Sequence, residues 1–121
     1  MTINELRKLS RSKFVEIGAH TVNHPRLSNE KPDVQEREIL NSKQFLENIL
    51  GSSVNGFSYP FGGKKDFDRQ TMDLVKTAGY QYCVSTFAGR VYKFSNIYTL
   101  PRYVVRDWPI WDFQKKVDDF I

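Results

Sequence analysis

The fold of this chain is decided around one stretch, Ile17-Gly18-Ala19-His20-Thr21-Val22-Asn23-His24-Pro25, in which an apolar run ends on two imidazoles four residues apart. Residues 14–19 supply β-forming side chains and a glycine that lets another backbone approach closely, so they predict a short buried strand. A proline disfavours α-helical backbone in the residue before it, and threonine and asparagine favour turns. We therefore expect both histidines to lie in a loop at the carboxyl end of that strand.

His20 and His24 are candidate ligands for a divalent metal ion. They are the two histidines of the chain, and imidazole nitrogen suits zinc, cobalt or iron. A catalytic zinc site usually has three protein ligands and one open position, which leaves this pair one ligand short. The alternative is a hydrogen-bonded pair that holds no metal, which is the more common origin of this spacing in an arbitrary domain.

Composition bounds the class of protein. The chain has 121 residues, 40% of them apolar and 14% aromatic, which is enough for the core of one domain spanning residues 1–121. The formal charge of +4 comes from 18 basic and 14 acidic residues spread along the chain, and this pattern does not indicate nucleic-acid binding. The single cysteine, Cys83, excludes an intramolecular disulfide and is expected in the core. No stretch has the pattern of a signal peptide or of a transmembrane helix, and the sequence leaves the compartment open.

Hydrophobic periodicity and turn residues predict alternating helices and strands. Thr2 and Glu5 have the spacing of a capping box at the start of a short helix, and Pro32 and Gly51 bracket a long one. The expected elements are helices at 2–9, 33–50, 68–78 and 109–121, strands at 14–19, 54–59 and 80–86, and one or two strands within 97–105. This order predicts an α/β fold whose parallel strands are joined by right-handed crossovers.

Three loops of this arrangement are expected to meet. In open sheets and barrels of alternating strands and helices, functional loops collect at the carboxyl ends of the strands. The histidine loop, residues 59–63 and the segment after Thr86 each follow a predicted strand. The sequence therefore places its candidate chemistry at one edge of the sheet.

Several spaced motifs resemble those of one enzyme family. The His-Thr-x-x-His-Pro pattern that begins at His20 is similar to the second motif of the polysaccharide deacetylases that share the NodB homology domain, carbohydrate esterase family 4. Phe57-Ser58-Tyr59-Pro60-Phe61-Gly62 resembles their third motif, in the form used by the branch that deacetylates poly-N-acetylglucosamine. Ala78-Gly79-Tyr80 is similar to the family's helix stop, and Leu100-Pro101-Arg102 to its late strand. The motifs occur in family order over nearly the whole chain.

The resemblance implies a partial or deformed (β/α) barrel that lacks the N-terminal strands, and a metal-dependent hydrolase acting on non-peptide C–N bonds of acetylated polysaccharides or oligosaccharides. In this family one aspartate and two histidines bind a divalent ion such as zinc or cobalt, and family members are often exported or act at the cell envelope. His20 and His24 match the two histidine ligands. The backbone N–H of Phe61 matches an oxyanion donor, and the alternative for this loop is a plain turn that ends the strand. Arg102 matches a residue that could orient a carboxylate base in the complete site; the alternative, which is more common for a single arginine beside a strand, is a surface ion pair. Substrate contacts are assigned to Tyr59, Pro60 and Trp108, while Trp111 is expected in the core.

The chain also departs from the family pattern. The first motif, a strand ending in Thr-Phe-Asp-Asp that carries both the metal-binding and the base aspartate, does not occur before His20. The Asp-Asp pair at residues 118–119 falls in the predicted closing helix, where it is expected to face solvent. Ser58 replaces the arginine of the third motif, and no third histidine is present to act as general acid. The third protein ligand of the metal is therefore missing or unidentified.

Two interpretations follow from these departures. The first is the carboxyl-terminal portion of a deacetylase domain whose aspartates lie upstream, or are supplied by a partner subunit or by Asp66, Asp68 or Asp107 in nearby loops. The second is a non-catalytic relative, a carbohydrate-binding or structural domain that keeps the fold. In either case a barrel without its first strands leaves a sheet edge unpaired, so we expect homo-oligomers.

Overall fold

The computed structural model describes residues 1–120, which form a mixed α/β fold. A short parallel sheet of two strands lies among four helices and one 3₁₀ turn. The helices are α1 (Ile3–Ser10), α2 (Pro32–Leu50), α3 (Arg69–Thr77) and α4 (Ile110–Phe120), the 3₁₀ turn is Leu27–Asn29, and the strands are β1 (Gly56–Ser58) and β2 (Tyr82–Val84). The prediction of alternating helices and parallel strands is confirmed for this central part. The final position of the predicted closing helix, residue 121, lies outside the described residues.

The sheet is widened on both sides by single bridges. β1 and β2 pair in parallel with Phe57 opposite Cys83. Ala19 forms a parallel bridge to Phe57, and Leu100 forms one to Val84. Four chain segments therefore run side by side, in the order Ala19, β1, β2, Leu100, and the residues that follow each of them emerge at the same edge.

The outer strand predictions were too long. In the segment 14–19, backbone bonds to β1 are made by Ala19 alone, while Val15 bonds back to Ser12 in a turn and Phe14 is 85% exposed. On the other side, Pro101 has no N–H to donate to a ladder, which confines the pairing of that segment to a few bonds around Leu100. Strands 54–59 and 80–86 are likewise reduced to three residues each.

Local capping signals fix the helix ends as the sequence indicated. The Thr2 hydroxyl accepts the Glu5 N–H, and the Glu5 carboxylate accepts the Thr2 N–H, which completes the capping box of α1. Pro32 begins α2, and Gly51 ends it with a left-handed φ of 68° that side chains disfavour. These interactions depend on neighbours in sequence, so the sequence alone reveals them.

The core lies between the sheet and the helices α2 and α3. Its most densely packed part is aromatic: the rings of Tyr59 and Phe67 stack with centroids 3.8 Å apart, and Tyr80 lies 5.0 Å from Phe57. The expectation that Cys83 is a core residue is confirmed, and burial raises the pKa of its thiol to about 12. The buried apolar residues are Ala19, Leu27, Ile39, Val54, Phe57, Tyr59, Phe67, Val75, Tyr80 and Cys83.

Helix α4 lies on the surface, and the prediction that Trp111 is a core residue was wrong. Its ring is 74% exposed. The helix turns Phe113, Val117 and Phe120 toward the protein as half-buried residues, and Phe120 stacks on Tyr103 with ring centroids 3.8 Å apart. Trp111 precedes that stripe by two residues and therefore points away from it. None of the helices among residues 1–120 combines the length and apolarity needed to cross a membrane.

Helix α3 provides a direct test of the capping argument. The Asp68 carboxylate accepts the Thr71 N–H at 2.9 Å. We expect Asp68→Ala to lower the free energy of unfolding by about 1 kcal/mol, because an N–H in the first turn loses its acceptor. Asp73→Ala, an exposed substitution on the same helix, is the control and should change stability by less than about 0.5 kcal/mol. Urea denaturation followed by circular dichroism measures both, and equal effects of the two variants would contradict the capping role.

Candidate functional site

The histidine loop leaves the sheet directly beside β1. The Ala19 N–H donates to the Gly56 carbonyl at 2.9 Å, and the Ser58 N–H donates to the Ala19 carbonyl at 2.9 Å. These two bonds fix the backbone of residue 19, and His20 follows as the first residue beyond the sheet. Gly18 permits this approach, since a Cβ at that position would lie 3.1 Å from the Gly56 oxygen.

The two imidazoles lie against each other and are exposed to solvent. Their ring centroids are 4.8 Å apart, with the planes inclined by 69°. His20 Nδ1 lies 2.6 Å from the Ser58 carbonyl oxygen. A carbonyl only accepts, so Nδ1 carries a proton, and Nε2 is the nitrogen that the neutral form of the ring offers to a metal ion. A ring oriented in this way by its other nitrogen is the usual arrangement of a metal-binding histidine.

The loop that joins the histidines has an unusual backbone. Thr21 and His24 adopt left-handed φ values of 65° and 57°, which cost free energy for residues with a Cβ. The Thr21 hydroxyl offsets part of this cost by accepting the His24 N–H at 3.1 Å and donating to the His20 carbonyl at 2.5 Å. The turn predicted from Thr21 and Asn23 is therefore present, and it is tighter than the sequence alone indicated.

Glu38 on α2 holds this loop, and sequence reasoning missed it. Its carboxylate accepts the N–H groups of Val22 and Asn23 and the side-chain amide of Asn23. Burial raises the pKa of Glu38, but these hydrogen bonds outweigh it and leave the pKa below its usual value. The available signal was the position of Glu38 on the inward face of α2, beside Ile39 and four residues before Ser42, where a charged side chain needs a partner.

The loop after β1 packs against the second histidine. The Phe61 ring centroid lies 4.8 Å from that of His24. Phe61 and Gly62 both have positive φ, and Thr86 holds the turn: its hydroxyl donates to the Phe61 carbonyl and its N–H to the Gly62 carbonyl, each at 3.0 Å. Within residues 1–120 the Phe61 N–H donates no hydrogen bond. The structure thus brings together the histidine loop, the Tyr-Pro-Phe-Gly loop and the segment after β2.

Two of the three carboxylates suggested as a third ligand are engaged elsewhere, and the third is exposed. Asp66 pairs with the Arg26 guanidinium at 2.9 Å and accepts the Gly63 N–H at 2.7 Å. Asp68 caps α3, and Asp107 is exposed in the segment before α4. In the part of the chain that the structure describes, no group of three histidine, cysteine, aspartate or glutamate side chains is arranged to hold a metal ion.

Arg102 lies at the same edge of the sheet but pairs with the backbone. Its Nε donates to the Ser85 carbonyl at 2.6 Å, and its N–H donates to the Phe87 carbonyl at 2.8 Å. None of the ion pairs formed within residues 1–120 includes it. Partial burial lowers the pKa of its guanidinium. In this chain Arg102 therefore fixes the segment after β2, and the carboxylate that it was expected to orient is not among its contacts.

Two of the residues assigned to substrate belong to the core instead. Tyr59 is 1% exposed and Pro60 is also fully buried, so neither side chain can contact a sugar. Their side chains pack under the loop as part of its support. Trp108 is half-buried before α4, with the Lys116 ammonium 4.9 Å from its ring centroid.

Comparison with known proteins identifies the family. The family model described as polysaccharide deacetylase matches residues 2–83, which contain the histidine loop, β1 and α3. The Bacillus subtilis (strain 168) protein named "Putative polysaccharide deacetylase YxkH" is 28% identical over 88 residues, which are 73% of this chain and 30% of that protein.

Solved structures share the fold. The Streptococcus pyogenes deacetylase PplD, solved in complex with acetate, superposes with a TM-score of 0.86 at 24% identity over 100% of this chain and 51% of that one. The polysaccharide deacetylase BC0361 from Bacillus cereus superposes with a TM-score of 0.74 at 25% identity, over 84% of this chain and 31% of that one. This chain therefore spans about half or less of the relatives that it matches. With the family model matching well over half of its residues, the chain belongs to the polysaccharide deacetylase family.

Proposed function

We propose that this chain supplies two histidine ligands and an oxyanion donor to a metal-dependent deacetylase of N-acetylglucosamine polymers. The observation that carries the proposal is the orientation of His20 by the Ser58 carbonyl at 2.6 Å, with His24 packed against it. A pair of imidazoles that served only as surface residues would gain little from a ring fixed in this way in a loop with two left-handed residues.

The residues present fit two of the three protein ligands of a catalytic zinc or cobalt site. His20 Nε2 is the ring nitrogen that does not contact the Ser58 carbonyl, and the His24 ring lies against the His20 ring. A third ligand is absent from residues 1–120, so the proposal places the metal-binding and base aspartates in a part of the deformed (β/α) barrel that this chain does not contain. We propose the chain as the carboxyl-terminal portion of that domain.

The chain's own residues would act on the acetyl group through the backbone N–H of Phe61. When bound, a divalent ion polarises the acetyl carbonyl and lowers the pKa of a water molecule. The Phe61 N–H, which has no acceptor among residues 1–120, is free to donate to the developing oxyanion. The Phe61 ring packs on His24 and lies 5.5 Å from the Arg26 guanidinium, and these contacts hold the loop that carries this N–H.

The proposed substrate class is a polymer of N-acetylated sugar. The form of the motif at residues 57–62 supports the poly-N-acetylglucosamine branch. A de-N-acetylase from Aggregatibacter actinomycetemcomitans shares the fold, with a TM-score of 0.80 over 100% of this chain and 53% of that one at 15% identity. The proposal extends the N-acetyl preference of that enzyme to this chain.

A non-catalytic carbohydrate-binding relative is the second candidate. It is favoured by one observation, which is that no three-residue metal-binding group exists within the described part of the chain. The two candidates differ in what happens when an aspartate-bearing segment is present: the first predicts acetate release, and the second predicts polymer binding without it.

Acetate release from acetylated chito-oligomers tests the proposal. We expect the 121-residue chain with zinc or cobalt to release acetate at background rate, because it lacks the base and one anionic ligand. A polypeptide that joins a Thr-Phe-Asp-Asp segment ahead of residue 1 should release acetate at about 1 s⁻¹ or more, and His20→Ala should abolish this. Binding of the polymer without acetate release by the longer polypeptide would favour the second candidate. Rapid release by the 121-residue chain, lost on His20→Ala, would overturn the need for outside carboxylates.

A further inference from the structure

The carboxylate of Glu38 accepts hydrogen bonds from the short segment between the two histidines. Its Oε2 accepts the Val22 N–H at 2.9 Å and the Asn23 N–H at 2.8 Å, and its Oε1 accepts the Asn23 side-chain amide at 2.6 Å. Glu38 is 9% exposed. Both oxygens are therefore occupied, and this buried carboxylate is not a spare ligand for an ion.

The bonds from Glu38 reach the part of the loop whose conformation is least favourable. Thr21 precedes and His24 follows the two clamped amides, and both have left-handed φ. Two successive N–H groups that converge on one oxygen form an anion-binding concavity. Here the anion is a side chain of the same protein, so the concavity ties the loop to α2.

Helix α2 is a rigid support for this clamp. The helix spans 19 residues, and Ile39, the residue after Glu38, is fully buried in the core. The Tyr80 hydroxyl donates to the Ile39 carbonyl at 3.1 Å, which joins α2 to the segment between α3 and β2. The histidine loop is thus held by the sheet at Ala19 and by the longest helix at Val22 and Asn23.

We propose that Glu38 is a positioning residue of the histidine site, whose carboxylate holds residues 21–24 so that both imidazoles are arranged before any ion binds. It acts through the backbone, because its hydrogen bonds go to residues 22 and 23 and not to either ring. The consequence for metal binding rests on the proposed function. The effect of Glu38 on the conformation of the loop does not depend on the proposed function.

The chain offers a matched control on the same helix. The Glu47 carboxylate accepts the Val54 N–H at 2.9 Å and pairs with Lys43 at 3.2 Å. Glu47→Ala therefore removes the same kind of interaction, a helix carboxylate bonded to a backbone amide, from the opposite end of α2. A general effect of destabilisation would appear in both variants, and an effect on the histidine loop in Glu38→Ala alone.

Hydrogen exchange of backbone amides, measured by NMR without metal, tests the clamp. We expect Glu38→Ala to accelerate exchange at Val22 and Asn23 by about tenfold or more, since each loses a charged acceptor. Glu47→Ala should accelerate exchange at the Val54 amide and leave exchange in the histidine loop unchanged. In Glu38→Gln the exchange rates at Val22 and Asn23 should lie between those of wild type and Glu38→Ala, because the glutamine amide oxygen can still accept both backbone N–H groups. If Glu38→Ala does not fold, Glu38→Gln gives the same comparison, because it removes the charge from the acceptor of both backbone N–H groups. Exchange at residues 22 and 23 equal to wild type in these variants would overturn the proposal.

Titration with zinc or cobalt tests the consequence for the site. We expect the dissociation constant to rise about 10- to 100-fold in Glu38→Ala and to stay unchanged in Glu47→Ala. Equal weakening in both variants would overturn a positioning role. If the wild-type chain binds neither ion, the proposed function fails, while the hydrogen-exchange result still decides whether Glu38 arranges the loop.

Discussion

Wild-type chain should bind one zinc or cobalt ion weakly, and replacing both His20 and His24 with alanine should remove this binding. Small domains with four protein ligands bind zinc with a free energy of about 10–16 kcal/mol, which is roughly 3 kcal/mol for each ligand. A single His20→Ala variant should therefore raise the dissociation constant by about 100-fold, and the double variant should show no binding. The affinity of the wild type is limited because no third ligand is arranged within residues 1–120.

Isothermal titration and the visible absorbance of bound cobalt measure this effect independently. Absorbance reports the ligand set, so it separates binding at the imidazoles from binding at surface carboxylates. Asn29→Ala, an exposed change near the loop, is the control and should bind as wild type does. Identical titrations of wild type and the double variant would contradict the assignment of His20 and His24 as ligands.

Features determined by neighbours in sequence were predictable here. The capping box at Thr2 and Glu5, the start of α2 at Pro32 and its end at Gly51 are confirmed because each depends on a few adjacent residues. The histidine loop was predictable for the same reason, since a proline after His24 excludes a helix locally. The parallel pairing of β1 with β2 followed from the alternation of helices and strands.

Features that depend on packing between distant parts of the sequence were not predictable. The segment 14–19 has the composition of a strand, yet it forms a single bridge, because the bonds available beside β1 are limited to those around Ala19. Trp111 matched an amphipathic pattern, but only the packing of α4 decides which face turns inward. Glu38 could not be tied to residues 22 and 23 from sequence, since its partners lie 15 and 16 positions away.

Tyr59 belongs to the motif at residues 57–62, but its side chain is part of the core. Its backbone leads into Phe61, whose N–H is free among residues 1–120, but its ring stacks on Phe67 at 3.8 Å with planes 8° apart. Its hydroxyl donates to the Tyr98 carbonyl at 3.0 Å. The pattern Tyr-Pro-Phe-Gly therefore combines a buried residue, Tyr59, with an exposed one, Phe61.

Replacing Tyr59 with alanine should lower the free energy of unfolding by about 3–5 kcal/mol, because a large buried aromatic side chain leaves a cavity. Tyr59→Phe keeps the ring and should cost about 1–2 kcal/mol, since the Tyr98 carbonyl loses its donor. Tyr92→Ala, a change at a residue that is 67% exposed, is the control and should have an effect below about 0.5 kcal/mol. Urea denaturation measures all three, and Tyr59→Phe keeps the test decisive if Tyr59→Ala does not fold.

The same residue should make the protein sensitive to alkali. Burial raises the pKa of the Tyr59 phenol far above its usual value, and burial raises that of Tyr80 to about 12. A group whose pKa is raised on folding stabilises the protein fully below its unfolded pKa of about 10 and loses that contribution as the pH rises further. Stability should therefore fall from about pH 10 upward, and Tyr59→Phe should make the decline shallower because one of the two buried phenols is gone. An unchanged slope in Tyr59→Phe would mean that the Tyr59 hydroxyl is reached by water in the folded protein, which would return this side chain to the surface and reopen a contact with substrate.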